Sequence, residues 1–185
     1  MKIFYELTTY NKKNKIKIKI KERCRSFVKA FLQIFSYITS DVTINIIDTG
    51  GTSRSVSTTN SGAFFIYSGG LDSWSAGIVV GTSNQPVAIT DYAMIALIPN
   101  GIGTGKLEYY GSYSCNNTVS GSVASFDIEG IFKNSSGGDI IISEVGVYSK
   151  GYYSYQYCLI RDVPTPVTIS DGEWLKVKYT IQVTA

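Results

Sequence analysis

Hydrophobic and polar positions change their period twice along this chain. Across Lys15-Ile16-Lys17-Ile18-Lys19-Ile20-Lys21, basic and apolar residues alternate strictly, the period of an extended strand with every lysine on one face. From Glu22 the spacing lengthens. Cys24, Phe27, Val28, Phe31, Leu32, Phe35 and Ile38 recur at three- and four-residue steps, which predicts an amphipathic helix ending near Ser40. Such a stripe must be covered, either by this chain's own sheet or by a partner subunit, so Phe27, Phe31, Phe35 and Ile38 are candidate interface positions.

Beyond the helix the pattern is strand and turn. Strands are expected at Val42–Ile47, Ala63–Tyr67 and Ala76–Val80, punctuated by Asp48-Thr49-Gly50-Gly51 and Gly69-Gly70. Pro86–Ile89 is short, Thr90–Met94 carries capping residues suited to a helical turn, and Lys106–Ser114 is aromatic enough for a strand. Val119–Phe132 and Asp139–Tyr148 flank Asn134-Ser135-Ser136-Gly137-Gly138, which reads as a hairpin. Cys158–Asp162 is a further core strand. After Asp171-Gly172, the segment Trp174–Val183 alternates with the strict period of a half-buried strand. About nine or ten short strands at this spacing, with no βαβ alternation, predict a mainly β fold. The expected architecture is an antiparallel β-sandwich, jelly-roll-like, with a basic N-terminal arm (residues 1–21), an amphipathic helix (22–40) and a sandwich domain (41–185). No internal repeat is visible.

Composition and charge refine this picture. A chain of 185 residues suits one domain with an appendage, and 44% hydrophobic against 17% charged residues excludes wholesale disorder. The net charge of +3 conceals an asymmetry: in residues 1–30, eight Lys and two Arg face only Glu6 and Glu22, so the remainder is acidic. Lys12, Lys13, Lys15, Lys17, Lys19 and Lys21 therefore mark a candidate assembly arm. It is suited to adding a strand to a neighbour's sheet edge, meeting an acidic partner, or neutralising nucleic-acid phosphate. The apolar run Phe27–Ile38 is broken by Lys29 and Gln33, is too short to span a bilayer, and is followed by no small-x-small cleavage site. Neither membrane insertion nor a signal peptide is expected.

Candidate chemistry is sparse. The chain has no histidine, which removes the usual general base, the Ser-His-Asp and Cys-His arrangements and most zinc sites. Cys24, Cys115 and Cys158 show no CxxC spacing, so neither a disulfide framework nor a zinc site is indicated. Asp127 and Glu129 share a strand face as glycosidase carboxylates would, yet their alternation with Phe126, Ile128 and Ile131 suits a half-wet sheet. Gly101-Ile102-Gly103-Thr104-Gly105-Lys106 fails the phosphate-loop spacing at Asn100 and Leu107, and Asp48–Arg54 reads as a loop with positive-φ positions. Asp139, Glu144, Asp162 and Asp171 lack calcium-loop spacing. Tyr109, Tyr110, Tyr113, Tyr152, Tyr153 and Tyr155 offer either a carbohydrate-stacking platform or an aromatic subunit interface. No catalytic residue, metal ligand set or cofactor is expected. Glu144, set among apolar strand residues, is costly to bury unpaired, and Arg161 lies on another core strand; an internal Glu144–Arg161 ion pair with a structural role follows.

Several segments taken together resemble virion structural proteins of tailed phages and related viruses. They are the helix leading into Asp48-Thr49-Gly50-Gly51-Thr52, then Gly77–Thr82 with Ile89–Ala93, Phe132–Gly137 with Ile142–Tyr148, and Arg161-Asp162-Val163 with Pro166–Glu173. The resemblance covers about residues 25–185 and consists of strand and turn patterns. It implies a non-enzymatic protein, made in the host cytoplasm and placed in the virion. Its first expected role is capsid decoration, cement or vertex protein, and its second is a tail or head-to-tail component. The implied partners are copies of itself and other virion proteins such as the major capsid protein, with packaged nucleic acid reached through the basic arm, and no membrane. The Lys-rich arm departs from that group's pattern. A carbohydrate- or receptor-binding sandwich is the alternative.

Overall fold

The computed structural model of the chain describes residues 2–24, 26–40, 43–56, 76–151 and 155–184, and of 37–40 and 112–116 the backbone alone. In chain order its elements are β1 (Lys2–Tyr10), β2 (Ile16–Arg23), α1 (Lys29–Ser40), β3 (Ile44–Ile47), β4 (Ser53–Val56), β5 (Gly77–Gly81), β6 (Glu108–Ser120), β7 (Val123–Lys133), β8 (Ile140–Ile142), β9 (Glu144–Lys150), β10 (Gln156–Asp162), β11 (Val167–Ile169) and β12 (Trp174–Thr184). Every ladder between these strands is antiparallel. The expected mainly β, antiparallel sandwich is therefore the fold. The strand expected at Ala63–Tyr67 lies outside the described residues.

The larger sheet has the order β2-β1-β12-β7-β6. Its centre is β12, where the sequence alternation becomes burial: Leu175, Val177 and Tyr179 are fully buried while Lys176 and Lys178 face outward. On β1, Ile3, Tyr5 and Leu7 enter the same core, with Leu7↔Val177 and Tyr5↔Tyr179 in direct register. Residues 2–23 thus form a hairpin within this chain's own sheet, not an arm reaching away from it. The reason is the apolar alternation of β1, which Lys15–Lys21 overshadow in the sequence. On β2 the lysines do share one exposed face, while Ile18 and Ile20 pack toward the core.

The smaller sheet, β10-β9-β5, is buried on both sides. One side meets the large sheet, where a Cβ on Gly130 would stand 2.9 Å from Ile78 Cβ, so glycine permits the close approach of the two layers. The other side is covered by the segment 82–100 and by α1, which enters through a bridge between Phe27 and Ile160 and a Val28 N–H to Leu159 carbonyl hydrogen bond of 3.2 Å.

Asn134–Gly138 does not close a hairpin. β7 pairs with β12 and β6, whereas β8 pairs with β11 and β9 with β5 and β10. The fully buried Asn134 side chain donates to the Gly138 and Ile169 carbonyls at 2.8 and 2.7 Å, turning the chain from one sheet to the next. The β7/β12 ribbon bends here and continues as β8/β11. The turn at Gly121 (φ 57°) also divides the expected Val119–Phe132 strand, giving Val119 to β6.

Candidate functional site

Glu144 and Arg161 meet on the side of the small sheet covered by residues 82–100. Both side chains are at 0% exposure, and Arg161 Nε donates to Glu144 Oε1 at 2.6 Å. Arg161 Nη1 reaches Asp91 Oδ2 at 2.8 Å, and Nη2 donates to the Gln85 carbonyl at 3.1 Å. Glu144 accepts the Ile95 and Ala96 N–H groups at 2.8 and 3.1 Å, and the Tyr148 hydroxyl accepts the Met94 N–H at 2.7 Å. Burial opposes the Arg161 charge, but bonding to Glu144 and Asp91 outweighs it and raises its pKa further. The cluster fastens a strandless segment onto a sheet. Its charges are spent on one another and on backbone, which is a clamp and not a reactive centre. Nothing in the local pattern around Asp91 marks it as the third member.

A second surface surrounds α1. Ala30 and Ile34 are buried, with Phe27 and Phe31 packed beside them at a ring separation of 4.2 Å. Leu32 and Phe35, on the next face of the helix, stay 60% and 58% exposed. The expected helix thus starts at Lys29 and not at Glu22, because Glu22 and Arg23 belong to β2; the chain's own sheet covers Ala30 and Ile34, while Phe35, expected to be covered by this sheet or by a partner, is exposed in the single chain. Of Ile38 the side chain is not described. Exposed Ile47 lies on β3, whose Asn45 carbonyl accepts from Gln33 of the helix at 2.7 Å, and exposed Ile89 accepts the Lys29 N–H at 2.9 Å. Exposed Tyr92 stands over Gly51 of the β3–β4 turn. That turn is rigid: Asp48 accepts from the Gly50 and Thr52 N–H groups and from Arg54 Nε at 2.7 Å, so although burial favours the neutral acid, these bonds hold its pKa below the usual range.

The outer face of the large sheet differs from both. Lys19–Glu6 (3.2 Å), Lys176–Glu129 (2.7 Å), Lys178–Asp127 (3.2 Å) and Lys17–Glu173 (3.0 Å) lace it across strands. Asp127 and Glu129 are consumed in this lattice, with Thr180 also donating to Asp127 at 2.6 Å. Lys12, Lys13, Lys15 and Lys21 have no carboxylate partner within salt-bridge distance among the described residues; Lys21 lies 5.5 Å from the Phe4 ring centroid. At one end of the face Tyr10 stands opposite Trp174 in the ladder, and that indole also meets Tyr110, tilted at 51° with ring centroids 4.8 Å apart, and the Lys133 ammonium, 5.7 Å from its centroid.

Of the tyrosines that offer a stacking platform or an aromatic interface, the three whose side chains are described, Tyr109, Tyr110 and Tyr155, do not converge. Tyr109 is buried edge-on against Phe132, Tyr110 faces outward, and Tyr155 lies under Arg54 at 3.9 Å; the Tyr113 side chain and Tyr152 and Tyr153 fall outside the described set. A cavity of about 600 Å³ beside Tyr5, Glu22, Arg23, Ser26 and Asp162 holds two carboxylates. Each has donors in place: Tyr5 and Thr165 bind Glu22, and Tyr179 binds Asp162 at 3.2 Å. Burial would raise the Glu22 pKa, but its two hydroxyl donors bring it below the ordinary value. Among the described residues no three Cys, Asp or Glu side chains gather as a metal site, and no helix is long and apolar enough to cross a membrane. The chain matches no protein-family model, no curated protein and no solved structure.

Proposed function

We propose that this protein is a non-enzymatic virion structural subunit, capsid-associated as a decoration, cement or vertex protein, that assembles with further copies of itself through the surface around α1. A tail or head-to-tail position is the alternative placement in the particle. The observation that supports this reading is the grouping of exposed apolar side chains, Leu32, Phe35, Ile47, Ile89 and Tyr92, on elements tied together by hydrogen bonds around one helix. Apolar side chains left exposed on neighbouring elements in this way suit protein–protein contact, and the resemblance to virion proteins suggests the setting. The engaged carboxylates and the absence of histidine favour structure over catalysis.

Light scattering on the full chain across a concentration series tests the reading. Wild type should form oligomers, and Leu32→Glu should give monomers with an unchanged melting temperature, since that side chain is already 60% exposed. Monomeric wild type at high concentration would overturn self-assembly through this face.

A further inference from the structure

The end of the outer face around Trp174 has features that the assembly reading leaves unused. Tyr10, Asn14, Ile131, Trp174 and Lys176 border a cleft of about 250 Å³, open to solvent, beneath the turn that joins β1 to β2. That turn is preorganised: Asn11 Oδ1 accepts the Lys13 and Lys15 N–H groups at 2.9 and 3.0 Å, and Asn14 adopts a positive φ of 56°. Lys13 and Lys15 project from it, both exposed and without a carboxylate neighbour among the described residues. Lys12 lies across Gly172, close enough to help hold the buried Glu173 carboxylate ionised.

From the cleft, cations continue along the sheet edge. Lys17, Lys19, Lys21 and Arg23 are all exposed on one side of β2, which has no strand beyond it among the described residues. Same-face residues in a strand are about 6.7 Å apart, close to the repeat of successive phosphates in an extended, unstacked single strand. Glu173 and Glu6 offset Lys17 and Lys19, but the hairpin from residue 2 to 23 still holds eight cations against Glu6 and Glu22, and Glu22 is turned inward to Tyr5. Lysines on an edge strand also deter unwanted sheet pairing, and that role accounts for the row on β2. It does not account for the lysines in the turn, or for Tyr10 and Trp174 lining one open cleft on a face otherwise laced with ion pairs.

We infer that this hairpin and the Tyr10–Trp174 cleft bind single-stranded nucleic acid, one base stacking in the aromatic cleft while the backbone runs along β2. Stacking is tolerant of base identity and the lysines read charge, so the site is sequence-indifferent and salt-sensitive. Its location, on the large sheet and away from α1, makes it independent of the assembly surface.

The test uses the full chain with a fluorescein-labelled oligothymidylate, followed by anisotropy at several salt concentrations. A Trp74→Phe background leaves Trp174 as the one indole, so its fluorescence reports the cleft. Expected are tight binding at low salt, quenching of Trp174, and at least a tenfold loss in Lys13→Glu/Lys15→Glu, whose exposed positions leave the melting temperature unchanged. That variant should also lose about 1.4 from the slope of log affinity against log salt, at about 0.7 per phosphate contact. The Leu32→Glu protein should bind as wild type does, so failure of assembly and failure of this site are separable. Absence of oligonucleotide binding overturns the inference. So does equal affinity for heparin without Trp174 quenching, which would reduce the site to bulk charge. Quenching by a neutral oligosaccharide alone would assign the cleft to sugar instead.

Discussion

Glu144 shows how one side chain's surroundings set its role. Its carboxylate sits at full burial between a guanidinium and two backbone donors, so removing the charge leaves the buried Arg161 with Asp91 alone to balance it. Glu144→Gln should cost about 3 kcal/mol, the low end for breaking a buried pair, because the amide oxygen still serves Ile95 N–H. Glu144→Leu should cost more by about 1–3 kcal/mol, having no acceptor for Ile95 and Ala96. Urea denaturation measures both, and equal losses would show that the backbone bonds carry no weight. Gly81→Ala should resemble the leucine variant, since its Cβ would run into the Glu144 carboxylate and the Ala96 carbonyl. The Glu144–Arg161 pair was legible because each residue interrupts an apolar strand. Asp91 was not, because it lies in a segment without periodicity and is recruited by tertiary contact alone.

At the scale of elements, what the pattern conveyed was local and what it missed was pairing. The period-2 signals of β12 and β2 translated directly into faces. The helix was legible in kind but not in phase, since its apolar residues span more than one face and docking buries Ala30 and Ile34 while Leu32 and Phe35 stay more than half exposed. The site around α1 was therefore half legible: the helix was flagged, but Ile47, Ile89 and Tyr92 reach it only through the fold. The Asn134–Gly138 turn looked local, yet a buried amide makes it a crossing between sheets. The N-terminal hairpin carries the largest consequence. With Ile3, Tyr5 and Leu7 in the core and β12 relying on β1 as a neighbour, deletion of residues 1–21 should abolish the cooperative unfolding transition and the near-ultraviolet circular dichroism of packed aromatics. A truncated chain that melts cooperatively would show the hairpin to be dispensable.

For the whole molecule, the distribution of buried ionisable groups fixes how stability follows pH. Burial raises the pKa of Tyr5, Tyr109, Tyr148, Tyr157 and Tyr179 above 10.0, with Glu22 adding to the effect at Tyr5 and Asp162 at Tyr179. The folded state keeps protons that the unfolded chain releases, so this stabilisation is complete below about pH 10 and is lost as the pH climbs through the folded values. Burial likewise pushes the Cys158 thiol up to about 12, extending the same alkaline limb. On the acid side Glu22, Asp48 and Glu173 are lowered from 4.5, 3.8 and 4.5, because hydrogen bonds to their ionised forms outweigh burial. Their contribution is present above the ordinary carboxylate range and disappears as the pH falls through the lowered values. With no histidine in between, the melting temperature should form a flat plateau from about pH 5 to 8.5 and fall on both sides. Tyrosinate absorbance from the buried set should rise on alkaline titration only with unfolding, while Glu173→Gln should flatten the acid limb alone. A melting temperature that slopes through neutrality would mean that a group outside these carboxylates, thiols and phenols governs the fold's protonation.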